Sequence, residues 1–170
     1  MAPTIEAARL RLRPFRESDL DAQAATLADA QVMRHIGGVP LSREETWRRM
    51  LAAPGLWAML GYGYWAVEAR EDGRYLGQIG FADFKRDIVP SIEGIPEMGW
   101  IFAPHAHGQG YASEAAAAAL AWADANLHTG QICCIIDPEN AASIRLALKA
   151  GFVETDRTSY KGDPTLILRR

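Results

Sequence analysis

Cysteine is scarce in this chain: there are two among 170 residues, and they are neighbours, Cys133 and Cys134. Adjacent residues on a strand point to opposite faces, so the pair excludes a mutual disulfide, and a reducing compartment is the simpler reading. A surplus of charge of one sign is also missing, since 18 basic side chains against 21 acidic ones leave a net charge of −3. That balance gives no support for a nucleic-acid partner held by phosphate neutralisation, and it suits a cationic substrate without selecting one. No apolar run reaches membrane-spanning length, and Met1 to Glu6 has no signal-peptide pattern, so the expectation is a cytoplasmic protein with no membrane partner. No spacing of His, Cys, Asp and Glu suits a metal, and His35 and His128 fall in predicted loops without an evident partner. Repeats, linkers and low-complexity tails are absent as well, which predicts one domain over residues 1–170.

What is present is a mixed order of strands and helices. Leu10 and Leu12 alternate with Arg9, Arg11 and Arg13, the pattern of a half-buried first strand. Ser18 is read as the cap of a helix from Asp19 to Leu27. Ser42 with Glu45 forms a capping box for a helix to about Ala52, followed by a loop from Ala53. Tyr64 to Arg70 and Tyr75 to Phe84 read as a hairpin turning at Glu71-Asp-Gly-Arg74. A loop from Asp87 to Pro96 leads to a short apolar strand, Met98 to Ala103, and Glu114 to Ala125 is almost pure helix former with five alanines from Ala115. Ile132 to Ile136 is a strand buried on both faces. Ala141 to Ala150 is a helix closed by Gly151, and two further strand segments, Phe152 to Tyr160 and Thr165 to Leu168, finish the chain.

The stretch between the apolar strand and the alanine helix, His105-Ala-His-Gly-Gln-Gly-Tyr-Ala-Ser-Glu-Ala115, carries the chemistry. A strand, a turn containing glycines and a helix start leave several backbone N–H groups unpaired at the positive end of a helix dipole, which suits a phosphate. A Walker loop is excluded because Tyr111, not Lys, follows Gly110. A dinucleotide fingerprint would need a third glycine where Ser113 stands. The segment resembles motif A of the GNAT N-acetyltransferases, in which Gln/Arg-x-x-Gly-x-Gly/Ala cradles the pyrophosphate of acetyl-coenzyme A. Gly108 and Gly110 match that motif, while the Gln/Arg position is occupied by His105. A second segment agrees: Asp137-Pro-Glu-Asn-Ala-Ala-Ser-Ile-Arg145, with Ala150-Gly-Phe152 behind it, resembles the Asn-x-x-Ser…Gly-Phe stretch of the RimJ/RimL-type branch. With Arg9-Leu-Arg-Leu-Arg-Pro14 the likeness spans essentially the whole chain.

The resemblance implies an α/β (α+β) GNAT fold: a mixed, mostly antiparallel sheet with splayed parallel central strands, flanked by helices. It implies acetyl-coenzyme A as co-substrate and a small-molecule or peptide amine as acceptor, attacked directly in a ternary complex, and it extends to a homodimer, an assembly frequent in the family. Backbone groups near Trp100, Ile101 and Phe102 would pair with the pantetheine arm, and the amides of His107, Gly108, Gln109, Gly110, Tyr111 and Ala112 would hold the pyrophosphate. Asn140 would cap its helix and also reach the pantetheine. Glu97 stands where the branch has a glutamate and is the candidate general base, the alternative being a carboxylate that orders its strand or meets solvent. Ser143 is the candidate proton donor to the departing thiolate, because no tyrosine lies between Asp137 and Phe152; a local backbone bond is the competing role. Trp57 and Tyr62, in the expected loop before the second strand, are the candidates for touching the acceptor. Two other functions remain open at this stage: acylation with a different acyl chain, and a silent module that binds acetyl-coenzyme A as a sensor. An acyl-cysteine route is disfavoured by the absence of a cation near Cys133 and Cys134 in the sequence.

Overall fold

The amino-terminal hairpin pairs β1 (Ile5–Glu6) with β2 (Leu10–Arg13), and the alternation in β2 buries Leu10 and Leu12 completely. The computed structural model describes residues 1–170. After a 3-10 turn at Glu17–Asp19 come α1 (Leu20–Leu27), the short α2 (Ala30–Met33) and α3 (Arg43–Leu60). The hairpin β3 (Tyr64–Ala69) and β4 (Tyr75–Ala82) follows, then β5 (Glu97–Phe102), α4 (Tyr111–Asn126), β6 (Cys133–Ile136), α5 (Ala141–Lys149), β7 (Val153–Tyr160) and β8 (Asp163–Arg169). All eight strands form one sheet in the order β1-β2-β3-β4-β5-β6-β8-β7, antiparallel throughout except where β5 meets β6. That parallel step requires a crossover, and α4 supplies it. The fold is therefore the mixed, mostly antiparallel sheet flanked by helices that the sequence implied.

Beyond β1 and α2, which the sequence reading lacks, and the earlier starts of α4 and β8, two helices differ from expectation for a visible reason. Ser18 is exposed and caps nothing, because its neighbour Asp19 is drawn into the buried Arg13 guanidinium by two 2.8 Å bonds and also accepts the Arg16 amide. The chain winds as a 3-10 turn there, and α1 begins one residue later, at Leu20. The second difference is larger. The capping box at Ser42 and Glu45 is present, but α3 runs through Pro54 and Gly55 to Leu60. A proline inside a helix loses one backbone bond and disfavours the preceding turn. Here tertiary packing prevails, because the last turns carry Trp57 into the core.

That core gathers Leu10, Leu12, Trp65, Val67, Ile79 and Phe81 of the early strands with Met98 and Phe102 of β5. Against them lie Ala115, Ala116, Ala119 and Ala123, so the alanine run is the small-residue face on which α4 approaches the sheet. Cys134 belongs to this cluster and Cys133 to a smaller one with Ile88, Ile92 and Ile167, which places the two thiols on opposite faces as expected. Burial pushes the Cys133 thiol up to about 12 and that of Cys134 higher still, so neither is a ready nucleophile. No helix is long and apolar enough to cross a membrane.

Candidate active site

The site is created by a strand pair that fails to stay together. β5 and β6 are in parallel register only at Glu97↔Cys133, where the Cys133 N–H donates to the Pro96 carbonyl at 3.0 Å. Beyond that point the strands diverge, while β5 remains fully paired with β4 on its other edge, from Ala82↔Glu97 to Gly77↔Phe102. Gly99, Trp100 and Ile101, although central in an eight-stranded sheet, are consequently only half-buried. The free edge of β5 leaves backbone donors and acceptors unpaired along a wedge-shaped opening, and unpaired backbone groups in a cleft invite an extended ligand.

At the wide end of the wedge, β5 passes through a 3-10 turn (Pro104–Ala106) into the glycine loop. Gly108 and Gly110 both take left-handed backbone conformations, with φ of 74° and 78°, which other residues adopt only with strain. Gly110 is the N-cap of α4 and provides no side-chain cap, so the first amides of a 16-residue helix face outward without a partner. Three side chains brace the loop. His105 Nε2 is 3.1 Å from the Tyr75 carbonyl, His107 Nε2 is 2.9 Å from the Phe102 carbonyl, and Gln109 Nε2 donates to the His105 carbonyl at 2.6 Å. Gln109 thus uses its side chain to shape the loop and leaves its amide for a ligand, whereas the His107 amide donates to the Pro104 carbonyl at 3.1 Å, which corrects its expected place in the cradle. Arg9 adds a fourth brace. Its Nη1 donates to the Gln109 carbonyl at 2.9 Å, its Nε to Glu114 at 2.8 Å, and its guanidinium covers the Tyr111 ring at 4.7 Å.

On the other bank of the wedge, Asn140 caps α5 by accepting the Ser143 N–H at 3.1 Å. The Ser143 hydroxyl in turn accepts the Trp100 indole N–H at 3.2 Å, so a β5 side chain reaches across to α5. The structure therefore brings Trp100, Asn140, Ser143 and the glycine loop around one opening. A further contact reaches the far end of β6: His35 Nδ1, in the turn after α2, lies 2.7 Å from Asp137 Oδ2, immediately past the end of that strand. His35 thus has a partner, which corrects the expectation drawn from its loop position.

Two predicted site residues are employed elsewhere. Glu97 is 5% exposed, and both of its oxygens are taken by Arg86, at 2.6 Å and 2.8 Å. That guanidinium is stacked between Phe84 and Tyr160, with centroid distances of 4.7 and 5.1 Å. Burial opposes the charge on Arg86, but Glu97 and Tyr160 outweigh it and raise its pKa further. A carboxylate held in a two-pronged guanidinium bond has no oxygen turned to a substrate ammonium, so the placement of Glu97 argues for an ion pair at the apex of the wedge rather than a base. Trp57 is corrected too. It is 7% exposed and packs edge-on against Trp65 and Trp122, at 4.8 and 5.3 Å, so it belongs to the core and not to an acceptor wall. Tyr62 is half-buried beside that core, and burial followed by the Asp83 charge raises the pKa of its hydroxyl.

Residues that sequence reasoning did not assign to the site are Arg9, Arg86, His35 and Asp137. Arg9 had a signal in the alternating Arg9-Leu-Arg-Leu-Arg13 run, and Asp137 opens the segment that carries the second resemblance, while Arg86 and His35 had none. His35 and Asp137 are 102 positions apart and meet only through tertiary structure.

Comparison with known proteins agrees with this architecture. The family model described as an acetyltransferase (GNAT) domain matches residues 9–153. Among curated relatives, YkkB of Bacillus subtilis (strain 168) is 42% identical over 96 residues, 54% of this chain and 52% of that protein. YoaA of the same organism, named an N-acetyltransferase, is 27% identical over 156 residues, 89% of this chain and 84% of its own length. Among solved structures, a GNAT-family acetyltransferase from Bordetella pertussis superposes with a TM-score of 0.86 at 27% identity, covering 99% of each chain. Two structures share the fold at lower identity. RimL, a ribosomal L7/L12 alpha-N-protein acetyltransferase in complex with coenzyme A, has a TM-score of 0.79 at 19% identity, covering 99% of this chain and 97% of its own. Spermidine N-acetyltransferase from Vibrio cholerae, in complex with coenzyme A and spermine, has a TM-score of 0.74 at 18%, covering 95% of each. The chain belongs to the GNAT acetyltransferase family.

Proposed function

We propose that this protein transfers an acetyl group from acetyl-coenzyme A to a primary amine, by direct attack within a ternary complex. The observation that carries the reading is the junction of β5 and β6. Two parallel strands that part after a single register pair, beside a helix N-terminus with no cap of its own, suit an extended amide-bearing arm ending in a pyrophosphate. The backbone of Trp100, Ile101 and Phe102 pairs with the pantetheine amides, and the amides from Gly108 to Ala112 hold the pyrophosphate. Asn140 supports the arm from the other bank. An N–H on the free edge of β5 stabilises the oxyanion that forms when nitrogen attacks the thioester carbonyl. The Ser143 hydroxyl, which accepts the Trp100 N–H in this structure, keeps its own proton for the departing sulfur. Coenzyme A in the RimL and spermidine N-acetyltransferase structures supports the choice of co-substrate. Those two proteins are named for a protein amino terminus and a polyamine, so the acceptor of this chain is drawn from the same broad class of protein or small-molecule amines.

Calorimetric titration with acetyl-coenzyme A, with desulfo-coenzyme A and ATP as comparators, tests the reading, followed by thiol release against an amine panel. Micromolar binding selective for the coenzyme, with turnover on at least one amine, is the expected result. Binding that ATP matches would overturn the coenzyme assignment, and tight coenzyme binding without turnover would instead mark a sensor. Gly110→Val should weaken coenzyme binding about 10- to 100-fold. A β-branched residue resists the φ of 78° that aims the first α4 amides, and each charge-assisted bond lost is worth about 1.5–3 kcal/mol. Unchanged affinity in a folded Gly110→Val protein would remove the loop from the cradle.

A further inference from the structure

The employment of Glu97 by Arg86 leaves the acceptor ammonium without a base among the predicted residues, and the His35–Asp137 pair answers that need. We propose that His35, oriented by Asp137, is the general base that takes the proton from the acceptor amine. This rests on the acetyl-transfer reading above.

The placement is the first argument. Asp137 directly follows the last residue of β6, at the end of that strand remote from the Glu97↔Cys133 junction, and it opens the turn that presents Asn140 and Ser143. His35 approaches from the helical segment between α1 and α3, which packs over the β4 side of the sheet through α1. The 2.7 Å contact therefore ties the turn after α2 to the far end of β6, while the Trp100–Ser143 bond ties β5 to α5. Both partners remain within solvent reach, with side-chain exposures of 19% and 32%, as a proton-transfer group requires.

The second argument is the direction of the proton. Burial tends to raise the Asp137 carboxyl, but bonds from the Glu139 amide and from His35 outweigh it and hold the group low, with Arg34 adding to the same effect. Asp137 is thus ionised and can only accept, so the proton between the pair sits on His35 Nδ1. A neutral ring with Nδ1–H carries its lone pair on Nε2, for which the structure shows no protein partner. The charged groups bearing on the pair are Arg34 beside the imidazole, and Asp137 with the exposed Glu139 in the facing turn.

The chemistry then balances. His35 Nε2 takes one proton from R–NH3+ and later releases it to solvent. The freed lone pair forms the N–C bond at the thioester carbonyl, and the oxyanion collapses with cleavage of C–S, the pair leaving on sulfur. The Ser143 hydroxyl gives its proton to the departing thiolate, which leaves as the thiol, and the second nitrogen proton, shed as the amide forms, restores the hydroxyl. At neutral pH an α-ammonium holds its proton by about one pKa unit and a side-chain ammonium by about three, so one base of either kind has roughly 100-fold less to overcome with an α-amine. The acceptor assigned is an α-amine, on a peptide or an amino-acid derivative.

The test uses the full chain with a short peptide bearing a free amino terminus and with Nα-acetyllysine as acceptors. His35→Asn, which keeps a donor for Asp137 but has no base, should bind acetyl-coenzyme A within twofold of wild type by calorimetry. Its kcat/KM on the peptide should fall about 10^2- to 10^4-fold. Asp137→Asn should lower kcat at least tenfold while leaving the KM for the peptide and coenzyme affinity intact. The peptide should exceed Nα-acetyllysine by at least 100-fold in the wild type. A His35→Asn variant that binds the coenzyme and keeps kcat/KM within threefold of wild type overturns the base. His35→Gln guards against a folding defect peculiar to Asn, and the same limits apply to it. A wild-type protein that fails to bind acetyl-coenzyme A overturns the acetyl-transfer reading itself, which the calorimetric arm registers separately.

Discussion

Arg86→Ala should lower the unfolding free energy by about 3–5 kcal/mol, measured by chemical denaturation, because it strands a buried carboxylate without its counter-charge. Glu97 is 5% exposed and both of its oxygens rest on Arg86, so no water-facing rotamer relieves the loss without opening the apex of the wedge. The ring faces of Phe84 and Tyr160 on the guanidinium make the effect larger than charge alone, since they too lose their packing partner. The same pair distinguishes the two roles weighed for Glu97. If it were the base, Glu97→Gln would cost 10^2- to 10^4-fold in turnover with little change in stability. As an ion-pair partner it should cost less than tenfold in turnover and at least about 1.5 kcal/mol in stability. A double-mutant cycle on Arg86 and Glu97 should return a coupling above about 1 kcal/mol. A cycle that closes to zero, with turnover abolished by Glu97→Gln alone, would restore Glu97 as the base.

Trp57→Ala should be comparably destabilising, by about 3–5 kcal/mol, the range for deleting a buried aromatic side chain. Its indole meets Trp65 and Trp122 edge-on, and its Nε1 donates to the Tyr64 carbonyl at 3.1 Å, so the substitution removes packing and leaves a polar group unpaired. Trp57→Phe keeps most of the packing and should cost about 1–2 kcal/mol, while the KM for the amine acceptor stays at the wild-type value. A raised acceptor KM in a stable Trp57→Phe protein would return Trp57 to the acceptor wall. The error about Trp57 came from ending the helix near Ala52. Proline and glycine at positions 54 and 55 are reasonable stop signals locally, and nothing local records that a tryptophan three residues beyond Pro54 meets Trp122 of α4.

How legible the molecule was in its sequence follows the range over which each feature is decided. The glycine loop was readable because left-handed backbone at Gly108 and Gly110 is a local demand, and the helix that follows is dictated by alanine propensity. Asn140 at its N-cap and the capping box of Ser42 and Glu45 were readable for the same reason: both bonds close within three residues. The opposite faces of Cys133 and Cys134 follow from the two-residue period of a strand. By itself, then, the sequence determined most of the elements, the loop that can cradle a phosphate and the family likeness. Tertiary structure alone decided which partner each carboxylate meets. Glu97 and Arg86 are 11 residues apart across an irregular loop, and His35 and Asp137 are 102 apart, in the turn after α2 and at the end of β6. Whether a titratable side chain is locked in an ion pair or left with a lone pair toward a cleft depends on which distant segments meet it. Hydrophobic burial of the whole chain sets those meetings, and no local pattern encodes them.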